Sequence, residues 1–517
     1  MGGPPPRPAP AQVAAECRWS ECADQADAGA EHTVNAGNGQ APLPVGATPS
    51  RQPPFWKRAL ALISLALSLL LWLNGLVDSL SRPSVGGDLN LRQLELAVLA
   101  EPQLPASLQS FLAGADPSEA LDRALAEEIR RGAEAGAPAP AELRLERALL
   151  LRRLQRDAEA TALLQDLASD PAQQGAEIRL AAELLQLPPG RSGSAARPIP
   201  AIDSLSHWPG QRPLLRQWGC EAVAGPDRCD PVRAGRRALA QLLAVTLLPA
   251  VVLLLGIGLL LREAWLRWRG RAPGLPPLQG PPLSGLDTVL LIAGGFVVVG
   301  ELLTPLLVTP LLAALLNGVG VVSPLREGIS VLALYLALMA GPLLILAMML
   351  MGLGPSPSGG WLLFRWQPWF LSAARALRGL LMVLPLVSLV GWLQGQLWGD
   401  PGGSNPLLDL VLRSQDPAAL ACFALTAVVL APLFEETLFR GVVLPVAARE
   451  LGAPAGVLLS ALIFAVAHLS LGELPPLFML GLGLGWLRWS SGRLGSCVLM
   501  HALWNALTFT NLLILGG

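Results

Sequence analysis

The chain of 517 residues has little of what a soluble protein carries on its surface. Only 15% of its residues are charged, Lys57 is its one lysine, and its formal net charge is -1. Without a basic excess it lacks the electrostatic footprint of a nucleic-acid-binding protein, so we predict no nucleic-acid partner. In contrast, 52% of the residues are hydrophobic and the mean hydropathy is +0.49, which is typical of a membrane protein.

Cysteine is also scarce. Six cysteines in a chain of this length are too few for a disulfide-stapled fold, and none has the CxxC spacing of a structural zinc site. Cys220 and Cys229 stand nine positions apart in a polar stretch. We expect this pair alone to be able to form a disulfide, provided that the stretch lies outside the cytoplasm.

The N-terminal part of the chain contains a tail and an anchor. Residues 1–54 are rich in Pro, Gly and Ala without any period, which predicts a disordered tail. Residues 59–77 form an uncharged run long enough to cross a bilayer, directly after Lys57 and Arg58. By the positive-inside rule the N-terminus is cytoplasmic, and the absence of a cleavage signal favours an uncleaved anchor.

A polar, helical segment at 79–235 separates this anchor from a second span at 238–261. Four arginines follow the second span and place the segment outside the cytoplasm. Its leucines and alanines at 141–168 recur at helical spacing and predict a helical hairpin. The hairpin resembles one tetratricopeptide-type unit, although an ordinary small helical domain fits the same pattern.

Seven more apolar runs predict further spans, with transmembrane helices filling 288–397 and a last group within 376–514. The fold class is therefore all-α, a polytopic transmembrane bundle of about nine spans with an inserted helical extracytoplasmic domain. We expect Glu301, in the third span, to make a structural hydrogen bond, with a proton or ligand pathway as the alternative. The predicted spans lie at 288–316, 330–353, 376–397, 418–434, 454–470, 474–490 and 496–514.

Charged and histidine side chains gather in the last hundred residues, where they are costly unless they face a cavity or a partner. Glu436 and Arg440 are four residues apart, which predicts an ion pair on one helix face, while Glu435 points about 100° away and is free to act as a general base. These residues are predicted to close one span, His468 to end the next, and His501 to open the last.

His501 and Asn505 also share a helix face, because they are four residues apart in HALWN. An imidazole and a carboxamide placed side by side are suited to donate hydrogen bonds to an oxyanion. His468, the last residue of FAVAH, is then available to hold the water that Glu435 deprotonates. Two histidines and two glutamates are also a ligand set for zinc, although no HExxH is present and the helical partner of His501 is an asparagine.

Three motifs, EETLFR, FAVAH and HALWN, stand in order in this hydrophobic setting. They resemble the EExxxR, FxxxH and HxxxN motifs of the CPBP family, the CAAX-processing and bacteriocin-processing intramembrane endopeptidases, over about residues 376–514. The resemblance implies a protease that uses no cofactor, with zinc as the less favoured alternative. It also implies catalytic or supporting roles for all the motif residues, namely Glu435, Glu436, Arg440, His468, His501 and Asn505.

The resemblance further implies a protein or peptide substrate, including membrane-anchored C-terminal tails. We expect an integral protein of a bacterial inner membrane or of a thylakoid. Two other functions keep the same fold: a non-proteolytic membrane scaffold of this family, and a transporter that uses the buried carboxylates.

Overall fold

The computed structural model describes residues 54–82, 85–134, 140–169, 181–182, 184–185, 212–224, 226–398 and 403–516. Every regular element in these ranges is helical, and Pro54–Gly517 forms one compact unit. The predicted disordered tail lies, apart from Pro54, outside the described residues. The helices are α1 (Phe55–Ser79), α2 (Val85–Ala100), α3 (Ala106–Leu112), α4 (Pro117–Glu134), α5 (Ala141–Arg153), α6 (Asp157–Ala168), α7 (Pro213–Ala224), α8 (Pro231–Trp268), α9 (Gly285–Val319), α10 (Leu325–Met351), α11 (Trp369–Trp398), α12 (Pro406–Arg413), α13 (Pro417–Leu451), α14 (Ala453–Val466), α15 (Leu474–Ser491) and α16 (Leu494–Gly516).

Seven helices in the described part of the chain are long and apolar enough to cross a membrane: α1, α8, α9, α10, α11, α13 and α16. The protein is therefore an integral membrane protein, and the all-α polytopic fold class is confirmed. The predicted span at 454–470 forms α14, which has only 14 residues. Its length of about 21 Å falls short of the roughly 30 Å hydrocarbon core, so α14 reaches only part of the way across.

Hydrogen bonds between loops sort the helix ends into two faces. On the first, Arg449 at the end of α13 donates to the carbonyls of Pro281 and Leu283, at 2.7 and 2.5 Å. Arg493 before α16 donates to the carbonyls of Arg365 and Gln367, both at 2.7 Å. We call this the arginine-rich face, formed by residues 269–284, 352–368 and 492–493.

The opposite face joins the other ends of the same helices. The Ser79 hydroxyl at the end of α1 accepts from the Leu471 amide at 3.1 Å, and Gln394 of α11 donates to the Gly472 carbonyl at 2.6 Å. The Glu473 carboxylate accepts from the Asn405 amide at 3.1 Å. We call helices α8 to α11 and α13 to α16 the C-terminal bundle. Consecutive helices of this bundle therefore run in alternating directions, as spans of one polytopic protein do.

Helices α2 to α7 form a helical domain that packs on this opposite face. Its apolar core is continuous with Leu512 and Leu515 at the end of α16. Arg92 donates from Nη1 to the Leu515 carbonyl at 3.3 Å, and Gln241 of α8 donates to the Ile514 carbonyl at 3.0 Å. The domain therefore covers the end of the helix that carries His501.

A buried ion cluster holds the helical domain together. Arg212, 3% exposed, pairs with Asp88 at 2.7 Å, with Glu146 at 2.6 Å, and with Glu95. Burial raises the pKa of Glu146 well above its usual value. Burial alone would lower the pKa of Arg212, but the three carboxylates raise it. Since desolvation opposes such clusters, each charge depends strongly on its partners.

The other sequence expectations for this region have visible counterparts. Helices α5 and α6 pack as the hairpin expected at 141–168. Cys220 and Cys229 form a disulfide, with their Cα atoms 6.0 Å apart. Glu301 accepts a hydrogen bond from Trp72 Nε1 of α1 at 3.1 Å, which is the structural contact expected for it.

Candidate active site

The acidic motif lies in the middle of a helix rather than at its end. The sequence places Glu435, Glu436 and Arg440 beyond a span that ends at 434, but α13 continues to Leu451 and Glu435 is the nineteenth of its 35 residues. Glu436 and Arg440 are both 0% exposed. The expectation that they close a span is therefore wrong, and these charges are enclosed by protein at membrane depth.

Helix α13 continues through two internal prolines because its backbone hydrogen-bond pattern changes before each of them. Leu425–Leu430 and Phe439–Val443 are π-helical, and each segment ends two residues before a proline. In the first segment the Ala431 amide bonds to the Thr426 carbonyl, and Pro432 has no amide to offer. The Ala427 carbonyl is left without a helical partner, and Asn505 Nδ2 donates to it at 2.7 Å.

The second π-helical segment also leaves one backbone carbonyl without a helical partner, close to Glu436 and Arg440. The Leu444 amide bonds to the Phe439 carbonyl, so Pro445 leaves the Arg440 carbonyl without a helical partner. Arg488 Nε of α15 donates to that carbonyl at 3.3 Å. Side chains of α15 and α16 thus satisfy the two carbonyls that the prolines leave free, and they fix how α13 sits against both helices.

A buried ion pair supports the site. Arg440 Nη1 contacts Glu436 Oε1 at 3.0 Å, and Arg440 Nη2 donates to the Gly481 carbonyl at 3.2 Å. His501 Nδ1 lies 2.9 Å from the same Glu436 oxygen. Because a carboxylate oxygen accepts, the proton of this contact is on His501 Nδ1, and Nε2 of the same ring faces Glu435, 4.0 Å from its Oε2. The predicted pair of Glu436 and Arg440 is present and extends to His501.

His468 is oriented by the first residue of its own motif. Helix α14 ends at Val466, and His468 follows in the turn, where its Nδ1 donates to the Phe464 carbonyl at 2.8 Å. The Phe464 ring contacts the ring of His468 edge-on, with centroids 4.8 Å apart, and lies 4.3 Å below the Arg440 guanidinium. Phe464 therefore packs between His468 and Arg440 and helps to fix the positions of both side chains.

The two histidines meet at Glu435. His468 Nε2 and His501 Nε2 each lie 4.0 Å from Glu435 Oε2. That oxygen has no hydrogen bond within the described part of the chain, and the Glu435 side chain is 16% exposed. Two imidazole nitrogens and one carboxylate oxygen, from α13, the turn after α14 and α16, therefore face one small space.

Tyr335 contacts the same carboxylate, although no motif in the sequence predicts this contact. This residue, the one tyrosine of the chain, donates from its hydroxyl to Glu435 Oε1 at 3.2 Å. Its ring meets Phe434 edge-on at 6.3 Å. Tyr335 belongs to α10, one hundred residues before its partner and outside every motif, so only the three-dimensional structure brings them together.

Asn505 lies one helical turn beyond His501 on α16, on the same face, as predicted. Its carboxamide is engaged with the Ala427 carbonyl and does not contact Glu435 directly. One of its two N–H groups is used in that contact, which leaves the second as a donor.

The spacing of the donor atoms bears on the zinc alternative. No group of three or more His, Cys, Asp or Glu side chains in the described residues is arranged to hold a metal ion. If a zinc ion lay about 2.1 Å from both atoms of a pair 4.0 Å apart, the angle at the ion between the two atoms would be roughly 144°, against about 109° at a tetrahedral centre. For a water about 2.8 Å from both atoms, the angle at the water would be roughly 91°. The 4.0 Å spacing is therefore nearer to that of two hydrogen-bond partners of one water than to that of two ligands of a tetrahedral zinc ion.

Comparison with known families agrees with this geometry. Residues 417–507 match the type II CAAX prenyl endopeptidase Rce1-like family, a range that includes all six predicted site residues. Residues 86–240 match a domain of unknown function, DUF8675, which covers the described helical domain and the start of α8. Neither a curated protein nor a solved structure matches the chain.

The C-terminal bundle therefore carries a protease domain of the intramembrane endopeptidase class. Within that class the domain is Rce1-like, which confirms the CPBP resemblance that the three motifs indicate.

Proposed function

We propose that this protein cleaves a peptide bond inside the membrane with a water molecule activated by Glu435. The observation that carries the proposal is the convergence of His468 Nε2 and His501 Nε2 on Glu435 Oε2, each at 4.0 Å. A water seated among these atoms has three acceptors around it and only two protons of its own. One imidazole therefore carries an extra proton when the water is bound.

We assign that proton to His501. Its Nδ1 lies 2.9 Å from Glu436 Oε1, which places a carboxylate on the side of the ring away from the water. His468 Nδ1 contacts only a backbone carbonyl, and its Nε2 accepts one water proton. Glu435 accepts the other proton as the water attacks the scissile carbonyl. The Nε2–H of His501 and the free N–H of Asn505 then donate to the oxyanion. The C–N bond breaks as the tetrahedral centre collapses, and the leaving amine takes the proton from Glu435.

The substrate is a protein or peptide segment that reaches the middle of the bilayer. Glu435 lies near the centre of α13, so a scissile bond must enter the membrane to meet it. Membrane-anchored C-terminal tails have this property, and the family name points to the same class.

The helical domain is proposed to be extracytoplasmic and the N-terminus cytoplasmic, in a bacterial inner membrane or a thylakoid. Lys57 and the arginines at 262–271 lie toward the face opposite that domain, as the positive-inside rule requires of a cytoplasmic face. The disulfide at Cys220 and Cys229 is compatible with an oxidising compartment. A single cysteine in place of Arg413 should react with an impermeant maleimide added outside, and one in place of Arg271 should react only from the inside. The reverse pattern would show that the topology is inverted.

Comparative proteomics of membranes that carry the wild type or Glu435→Gln tests the activity. The variant keeps the shape of the side chain and removes its basicity, so a fragment produced by the wild type should be missing. Glu301→Gln is a matched control, since Glu301 is also embedded but binds only Trp72 in the described residues. It should leave that fragment unchanged.

The other two functions predict different results. A scaffold would retain its phenotype in the Glu435→Gln strain, with no fragment that depends on Glu435. A transporter would depend on Glu301 and be indifferent to Glu435. Either result would overturn the proposed protease.

A further inference from the structure

A polar cavity lies on the arginine-rich face, and Glu435, His468 and His501 do not line it. Its volume is about 110 Å³, and it is enclosed by the loop at 276–279, by Leu363 and Arg365, and by the end of α15 at 488–492. Two of the lining side chains are cations, Arg365 and Arg488, and none is an aspartate or glutamate. We call this cavity the arginine pocket.

The two arginines are held differently. Arg488 is 1% exposed and is fixed by bonds from Nε to the Arg440 carbonyl and from Nη2 to the Gln279 carbonyl, at 3.3 and 2.8 Å. Its Nη1 has no hydrogen bond within the described residues. Arg365 is exposed, and its guanidinium has neither a hydrogen bond nor an ion pair in the same part of the chain. The pocket therefore offers one rigid and one adjustable donor.

The positive charge extends beyond the pocket without compensation. Arg493 donates to the Arg365 and Gln367 carbonyls, and Arg375 donates to the Ser491 carbonyl at 3.2 Å. Among the described residues, none of these four arginines pairs with a carboxylate. In the helical domain, by contrast, three carboxylates surround the buried Arg212. A partly buried cluster of like charges is costly unless an anion neutralises it.

Shape and depth define the anion. About 110 Å³ is room for a tetrahedral oxyanion with its four oxygens, since a water occupies roughly 30 Å³ of liquid. Guanidinium groups bind phosphate oxygens with well-matched geometry. Trp489 lines the pocket and donates to the Pro276 carbonyl at 3.2 Å, and tryptophan is enriched at headgroup depth.

We propose that the arginine pocket binds a phosphate group, supplied either by the headgroup of an anionic phospholipid or by free phosphate in solution. Arg365 and Arg488 contact its oxygens, with the Gln279 side chain at the rim. Since Arg488 also holds the Arg440 carbonyl, the bound phosphate lies next to the helix segment that carries the ion pair of the active site.

The test uses the full chain in phosphatidylcholine nanodiscs with two probes. Native mass spectrometry counts the phosphatidylglycerol molecules retained from mixed discs, and the unfolding temperature is followed as inorganic phosphate is added to discs without anionic lipid. Retention of phosphatidylglycerol alone identifies a lipid headgroup, and a rise in unfolding temperature with phosphate identifies the free ion. Both outcomes support the site, and failure of both probes overturns it.

Variants separate the pocket from diffuse surface charge. Arg365→Gln should weaken binding of the effective probe about tenfold, as expected for loss of one charged hydrogen-bond donor. Arg271→Gln removes an exposed arginine of the same face that does not line the pocket, so binding should change by less than about twofold. Equal losses in the two variants, or no loss in Arg365→Gln, would refute the pocket. Binding is measured independently of proteolysis, so these outcomes do not depend on the proposed function.

Discussion

Tyr335→Phe removes one hydrogen bond from the proposed base and keeps the aromatic ring. The hydroxyl donates to Glu435 Oε1 at 3.2 Å, which leaves Oε2 to face the two histidines. A hydrogen bond to a charged group contributes about 1.5 to 3 kcal/mol. If that bond positions Glu435 during proton transfer, its loss should slow turnover by roughly tenfold to 150-fold. We expect the lower end, because 3.2 Å is long for a bond to a carboxylate.

The assay is the cleavage rate of the substrate identified by the proteomic comparison, measured in proteoliposomes. Trp72→Phe is the matched control, because it removes a 3.1 Å bond to another embedded carboxylate, Glu301. Both variants should lose similar amounts of stability, on the order of 1 to 3 kcal/mol. Only Tyr335→Phe should lower the rate at equal amounts of folded protein. Equal rates in the two variants would show that Tyr335 packs against Glu435 without positioning it.

Three further predictions concern stability and use unfolding of the purified full chain. Arg212→Met should destabilise the helical domain by about 3 to 5 kcal/mol, because it leaves three carboxylates without their cation. Burial opposes ionisation of Asp122, but two arginines lower its pKa below the usual 3.8. Its contribution to the free energy of unfolding is therefore fully present above pH 3.8 and is lost as the pH falls through the lower pKa of the folded state. Asp122→Asn should remove this acid dependence. Asn505→Ala should cost about 1 to 3 kcal/mol, and less in a Pro432→Ala background, where the restored amide reaches the carbonyl that Asn505 satisfies.

Each of these predictions has a result that contradicts it. Arg153→Met removes an arginine that is 49% exposed in its side chain and should cost no more than about 1 kcal/mol, so a loss as large as that of Arg212→Met would speak against a special role of the buried cluster. An unchanged acid transition in Asp122→Asn would mean that other carboxylates control it. If the two substitutions at Asn505 and Pro432 changed the free energy of unfolding additively, the Asn505 carboxamide would not be compensating for the amide that Pro432 lacks.

The sequence was sufficient for the fold class and for the motif residues that meet around Glu435. Long uncharged runs reveal spans because lipid offers the backbone no partners, and the order of EETLFR, FAVAH and HALWN is specific enough to identify the domain. The contact of Glu436 with Arg440 follows from their spacing alone. That the six residues act catalytically remains a prediction.

Other features depend on tertiary structure. The composition of residues 435–451 does not indicate that they continue the preceding helix. The helix continues through Pro432 and Pro445 because side chains from α15 and α16 bind the carbonyls that the two prolines leave free. Tyr335 has no local pattern. The short length of α14 is equally hidden, because apolar residues continue past Val466 while the backbone turns.

The two π-helical segments enclose the eight residues Ala431–Leu438, which carry both glutamates. A π-turn holds about one residue more than an α-turn and so changes the rotational phase of everything after it. The two glutamates therefore face a different direction around the axis of α13 than they would in an uninterrupted α-helix of the same sequence. Because the wide turn already takes up this extra residue, deletion of a single residue between 425 and 430 would let an ordinary α-turn form and leave both carboxylates at nearly the same azimuth. The same deletion within Ala431–Leu438 would instead turn the residues that follow it by about 100°, so changes of length in this helix are expected in the π-helical segments and not between them.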